Sequence, residues 1–124
     1  MLHEEGLTEK IIGAAIEVHR HLGPGLLESA YETCLCHELN LRELKFHRQQ
    51  AVPLEYKGIQ LECGYRIDVV VEEKVVVELK CVDAVLPIHL AQLLTYLRLT
   101  RCRVGLLLNF QVEAMRTGIH RRVL

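Results

Sequence analysis

Tyr65-Arg66-Ile67-Asp68-Val69-Val70-Val71-Glu72-Glu73-Lys74-Val75-Val76-Val77-Glu78-Leu79-Lys80 is the most regular stretch of the chain. Tyr65, Ile67, Val69, Val71, Val75, Val77 and Leu79 are all apolar and fall on odd positions. Period two on both sides of Glu72-Glu73-Lys74 predicts a β-hairpin with one buried face. A loop at those three residues pairs Val71 with Val75, and counting back sets Asp68 opposite Glu78. Opposed residues of an antiparallel pair have Cβ atoms about 5 Å apart on one face. Lys80, two residues beyond Glu78, shares that face. A one-residue slip would scatter the three charges and expose the valine row.

Two facing carboxylates repel, and one takes a raised pKa unless a cation sits between them. Mg²⁺ takes one or two carboxylates together with waters and phosphate oxygens. It polarises a phosphodiester and acidifies an attacking water. Lys80 would position that water or offset charge on the phosphorus oxygens. On spacing alone, a solvated ladder of ion pairs worth ~0–1 kcal/mol each is the simpler reading. Arg66 lies next to Asp68 on the same face, as a phosphate contact or as an ion-pair partner of Glu78 or Glu72.

Working outward, Thr8 is the expected N-cap of a first helix carrying Ile11, Ile12, Ala15 and Ile16, which Gly23-Pro24-Gly25 ends. A second helix is expected from about Leu26 to Glu43. Phe46 to Tyr56 alternates weakly and contains Pro53, so it is expected as an edge strand. Lys57-Gly58 turns the chain into Ile59 to Glu62. Pro87 suits the first turn of a helix running to about Thr100. Arg103 to Asn109 then follows as a strand parallel to Val75–Lys80, because a strand–helix–strand connection crosses over. A turn near Val112 to Thr117 and a strand Ile119 to Val123 close the chain. The expected order is ααβββαβ, a mixed sheet flanked by helices, in one domain spanning residues 1–124. The Val75–Lys80 strand is central in that sheet, where unpaired charge is uncommon. That position argues for a site over a solvated ladder.

Composition sets bounds. In 124 residues the chain is half apolar and a quarter charged, with no Trp, so one core of Leu, Val and Ile is expected. Five cysteines with no Cys-x-x-Cys pair argue against a disulfide framework and for a reducing compartment. Neither a signal peptide at Met1-Leu2-His3 nor a membrane span is expected, which suggests the cytoplasm. The seven His lack metal-ligand spacing, excluding a zinc site. Net charge is −1, yet residues 1–40 carry seven Glu against Lys10 and Arg20, while the rest carries nine acids against thirteen Lys and Arg. Arg98, Arg101 and Arg103 fall in the basic part and would extend a phosphate track, with solvated surface as the alternative.

Gly25-Leu26-Leu27-Glu28-Ser29-Ala30-Tyr31, Cys63-Gly64-Tyr65-Arg66-Ile67-Asp68, Val77-Glu78-Leu79-Lys80, Ala91-Gln92-Leu93-Leu94-Thr95-Tyr96-Leu97 and Leu108-Asn109-Phe110 together resemble the GxxExxY proteins. These are members of the PD-(D/E)XK nuclease superfamily. The resemblance spans about Ile11 to Val123 and implies an α/β restriction-endonuclease-like core. It implies metal-dependent hydrolysis of nucleic acid, DNA ahead of RNA, with Mg²⁺ or Mn²⁺. Carried over residue by residue, the metal aspartate falls on Asp68 and the E-x-K pair on Glu78 and Lys80. The helix glutamate falls on Glu28, against metal or a metal-bound water, and the following glutamine on Gln92. Ile67 stands where Pro precedes the aspartate in many members.

Gln92 and Tyr96 also lie with His89 at i, i+3 and i+7 on one stripe, able to bond phosphate or the Lys80 amine. Tyr31 either bonds within the site or packs. The rival from another class is a non-catalytic nucleic-acid-binding or protein-interaction subunit retaining the fold. A metal-dependent enzyme acting on another phosphate ester is a further reading. A chain this small offers little surface for a duplex, so a homodimer or larger protein partner is expected.

Overall fold

The computed structural model describes residues 3–62 and 64–124. Met1, Leu2 and Cys63 lie outside the described residues, and with them the first residue of the Cys63–Asp68 motif. Two helices come first, α1 (Glu5–Leu22) and α2 (Glu28–Leu41). α1 begins three residues before the expected cap. Thr8 is not that cap: it is buried inside the helix and donates to the Glu5 carbonyl at 3.0 Å, while Glu4 takes the capping position.

The segment expected as one edge strand divides into β1 (Phe46–Ala51) and β2 (Leu54–Tyr56). Pro53, which has no N–H to donate, lies in the break. β2 pairs with β3 (Ile59–Leu61) in a separate two-stranded ribbon. The remaining elements are β4 (Arg66–Val71), β5 (Val75–Lys80), α3 (Pro87–Thr100), β6 (Val104–Asn109), a 3₁₀ turn (Met115–Gly118) and β7 (Ile119–Val123).

The main sheet has the order β1-β4-β5-β6-β7, so β5 is central, and β6 lies parallel to it as the crossover requires. The β4–β5 turn places Glu72 and Glu73 at φ 52° and 58°. Lys74 N–H closes it on the Val71 carbonyl at 3.0 Å. Val71 pairs with Val75 and Val69 with Val77, the register expected from the loop.

Both faces of the sheet are covered, and this corrects the expectation of a single buried face. Val69, Val71, Val75, Val77 and Leu79 pack beneath α1 and α2 with Ile11, Leu35 and Leu39. Val70, Val76 and Leu107 pack beneath α3 with Leu93 and Leu97. A strand with a parallel neighbour is buried on both sides, which is why β5 and β6 read as nearly continuous apolar runs. α3 sits close because Gly105 leaves room: a Cβ there would lie 2.8 Å from Leu93 Cδ1.

Candidate active site

The alternation fails at one point of β4. Ile67, expected in the row of Val69 and Val71, packs instead with Val70 and Val76 on the α3 side. β1 is irregular at the same level. Gln49 has φ +50°, and β1–β4 pairing skips from Arg48–Val69 to Gln50–Ile67. Asp68 therefore sits at an irregularity flanked on one side by a left-handed residue.

On its other side the β4–β5 ladder stops at Val69–Val77. Past that pair, side chains replace backbone carbonyls as acceptors. Asp68 N–H donates to Glu78 Oε1 at 3.0 Å, and Leu79 N–H donates to Asp68 Oδ2 at 2.9 Å. Each carboxylate is thus clamped to the other's strand through one oxygen. The facing positions are those counted from the hairpin, but the side chains meet where two strands part rather than on a polar face.

Burial makes this costly in charge. Glu78 is 6 % exposed. Its carboxyl is pushed up to about 8, first by burial and then by the Asp68 charge, with Lys80 and the Asp68 N–H acting in the opposite sense. Asp68 is also raised, by burial and by Glu32 and Glu28, while the Leu79 N–H and Gln49 restrain the shift. Two raised acids in contact are the arrangement that an added cation would relieve.

Lys80 ends β5, half-buried, and its backbone carbonyl accepts from Phe110 N–H at 2.9 Å. The next residues are held by Asn109, buried at the end of β6. Asn109 Oδ1 accepts from Val82 N–H at 3.1 Å, and its Nδ2 donates to the Val82 carbonyl at 2.9 Å. The Leu108-Asn109-Phe110 motif therefore fixes the chain as it leaves the Glu78-x-Lys80 strand.

Glu28 opens α2 and is exposed; its Oε2 accepts from Cys81 N–H at 3.3 Å. It bears on Asp68 through its charge but does not close a three-carboxylate cage. Among the described residues, no three His, Cys, Asp or Glu side chains gather as one metal cluster. Glu28, expected against metal or a metal-bound water, thus has one oxygen on the strand end at Cys81. Tyr31 is corrected. It is fully buried, stacked on Phe110 with centroids 4.5 Å apart, and its hydroxyl bonds the Gly23 carbonyl and Leu26 N–H. No surface is left for a substrate, so Tyr31 fastens the Gly23–Leu26 loop that leads into Glu28.

Gln92 and Tyr96 lie on α3 and line a cavity of about 440 Å³. Tyr96 is 5 % exposed, and its hydroxyl is held above its usual range by burial and then by the Glu78 and Asp68 charges. Among the described residues, neither side chain bonds Lys80. His89, on the same stripe, caps the helix: its Nδ1 accepts from Leu86 N–H at 3.0 Å. Arg66 is exposed and donates to the Gln49 carbonyl at 3.1 Å, with no ion pair to Glu78 or Glu72. Arg98 donates to Thr95 Oγ1 on the exposed side of α3.

Sequence reasoning missed Glu32 and Gln49. Glu32, buried one turn after Glu28, pairs with Arg48 at 2.9 Å and accepts from Gln49 Nε2 at 2.8 Å. Gln49 Nε2 also lies 3.4 Å from Asp68 Oδ1. The i, i+4 spacing of Glu28 and Glu32 was the available signal for one; nothing local marks Gln49.

The donor set fits a hard divalent ion. Glu78 Oε2 lies outside the clamp and Asp68 Oδ1 carries only the Gln49 amide, and such ions are content with one or two carboxylates completed by water and phosphate. Zinc sites are built chiefly on imidazole or thiolate, which the pair does not have.

No curated protein and no solved structure matches the chain. A family model described as the PD-(D/E)XK nuclease superfamily matches residues 5–122, from the start of α1 into β7. The match covers nearly the whole chain, and the chain belongs to the PD-(D/E)XK nuclease superfamily.

Proposed function

We propose that the protein hydrolyses phosphodiester bonds in nucleic acid, DNA ahead of RNA, with Mg²⁺ or Mn²⁺ held by Asp68 and Glu78. The observation that carries this is the mutual clamp of buried Glu78 and half-buried Asp68, which leaves Glu78 Oε2 outside the clamp and Asp68 Oδ1 with the Gln49 amide on it. When bound, the ion supplies Lewis-acid polarisation of a phosphoryl oxygen and acidifies a nearby water.

The chain's own groups do the rest. Asp68 and Glu78 are already immobilised by backbone N–H groups, so little rotamer freedom is lost on loading. The Lys80 amine offsets negative charge that develops on the phosphoryl oxygens. Glu28, one layer out, accepts from a water at the site, and Gln92 orients water or phosphate from α3. Arg66 and Arg98 are phosphate contacts along the approach, and they position rather than read sequence. Within the superfamily we assign the chain to the GxxExxY type, on the five motifs quoted above. A cytoplasmic setting suits the free thiols of Cys34, Cys36, Cys81 and Cys102. No helix among the described residues is long and apolar enough to cross a membrane.

The test is cleavage of labelled DNA and RNA across a divalent-metal titration, comparing wild type with Glu78→Ala and Lys80→Ala. The expected result is metal-dependent cleavage, lost by about 10²-fold or more in each variant, as for removal of a transition-state contact. Cleavage that survives both substitutions would place the activity elsewhere. Binding without cleavage under any metal would make the protein a non-catalytic nucleic-acid-binding module.

A further inference from the structure

The cavity lined by Gln92 and Tyr96 lies against the β2–β3 ribbon as well as α3: Leu54 of β2 and Tyr65, just before β4, line it together with Ile88 and His89 of α3. Its volume of about 440 Å³ lies within the range of small-ligand pockets. We infer that this cavity receives an unpaired nucleobase next to the scissile phosphate, so that the substrate is a single strand or a frayed end. The inference rests on the nuclease reading and names its substrate class.

Three features carry it. The walls are mainly apolar and aromatic, and no Lys or Arg lines them, so the cavity does not suit a phosphate. Every base offers a π-face to such walls, which makes stacking tolerant of sequence. The polar groups present suit a base edge. Gln92 offers a carboxamide with no partner among the described residues. His89 accepts through Nδ1, which leaves Nε2–H as its donor.

Position supplies the third feature. Tyr65 of the cavity wall lies three residues before Asp68, and Tyr96 of the wall packs in one buried cluster with Ile67, the residue next to Asp68. A phosphodiester seated at Asp68 and Glu78 brings its neighbouring base over the cavity. In a duplex that base is stacked on both faces and paired along its edge, and it would have to be extruded first. Tyr65 is 45 % exposed and Ile88 67 % exposed, so part of this lining is open to an incoming strand.

The experiment is a titration of a short single strand carrying 2-aminopurine, and of the matching duplex, with and without Mg²⁺. Wild type, Tyr65→Ala and Tyr65→Phe are compared. The exposure of Tyr65 makes both variants compatible with folding. The single strand is expected to bind about ten-fold or more tighter than the duplex, with 2-aminopurine quenching. Tyr65→Ala is expected to lose about ten-fold, the scale of one stacked base, and Tyr65→Phe to bind like wild type. Equal affinity for strand and duplex, or an unchanged Tyr65→Ala, overturns the cavity assignment while metal-dependent cleavage keeps the nuclease reading standing. Absence of both binding and cleavage overturns the two together. A dimer mass that collapses in Tyr65→Ala would make this surface a contact between copies, and that too overturns the assignment.

Discussion

Glu78 shows how far one residue's chemistry depends on its neighbours. Its carboxyl titrates near 4.5 when free of the fold and near 8 in its buried place beside Asp68. Between those values the folded chain holds a proton that the unfolded chain has released, so stability falls with pH across that window. The contribution is fully present below about 4.5 and is lost as pH rises through about 8. Asp68, also raised, acts in the same direction. In metal-free buffer the thermal midpoint is therefore expected to fall between pH 5 and pH 8, and Glu78→Gln should flatten that slope. Mg²⁺ should restore the midpoint at pH 8, because an ion that binds only the folded, deprotonated pair stabilises it by mass action. A flat wild-type profile would contradict the burial of a protonated acid. Of the residues around this pair, Asp68, Glu78 and Lys80 are legible because hairpin counting aligns them. Glu32 and Gln49 are not, since one contacts the site across an element boundary and the other depends on a single left-handed dihedral angle.

At the scale of elements, the β4–β5 hairpin, the parallel β6 and the terminal β7 follow directly from period-two patterning and the crossover rule. The second buried face does not. A run of valines satisfies alternation on one side whether or not the other side is also covered, and only α3 reveals that Val70 and Val76 are core. The split of β1 from β2 was foreshadowed by Pro53, but the separate β2–β3 ribbon depends on tertiary pairing. The same close packing makes one small residue indispensable. Gly118, at the end of the 3₁₀ turn, faces the Asn109 carbonyl so closely that a Cβ would collide with backbone. Asn109 in turn holds the strand end after Lys80. Gly118→Ala should cost about 1–3 kcal/mol, as overpacking does, read as a lower urea midpoint with an unchanged m-value. An unaltered midpoint would mean that the β6–β7 connection yields more easily than its contacts suggest.

Over the whole molecule, charge is segregated along the chain rather than large in sum. The acidic α1–α2 half supplies Glu28 and Glu32 near the site, and the basic remainder supplies the arginines of the approach. The two sheet edges carry His47 and Arg48 on β1 and His120, Arg121 and Arg122 on β7, a pattern that discourages edge-to-edge pairing. The small surface is the reason a homodimer or a larger partner is proposed for gripping extended substrates. All of these features serve one centre, buried Glu78 and half-buried Asp68 clamped across parting strands. Mn²⁺ binding followed by electron paramagnetic resonance tests it most directly, because the free-ion signal disappears on binding and no substrate is needed. Wild type at pH 8 should take up about one Mn²⁺ per chain, within the one or two carboxylates such an ion requires, and less at pH 6. Asp68→Asn and Glu78→Gln should leave the ion free. Uptake that persists undiminished in both variants would show that the ion sits elsewhere and that the paired acids are not its site.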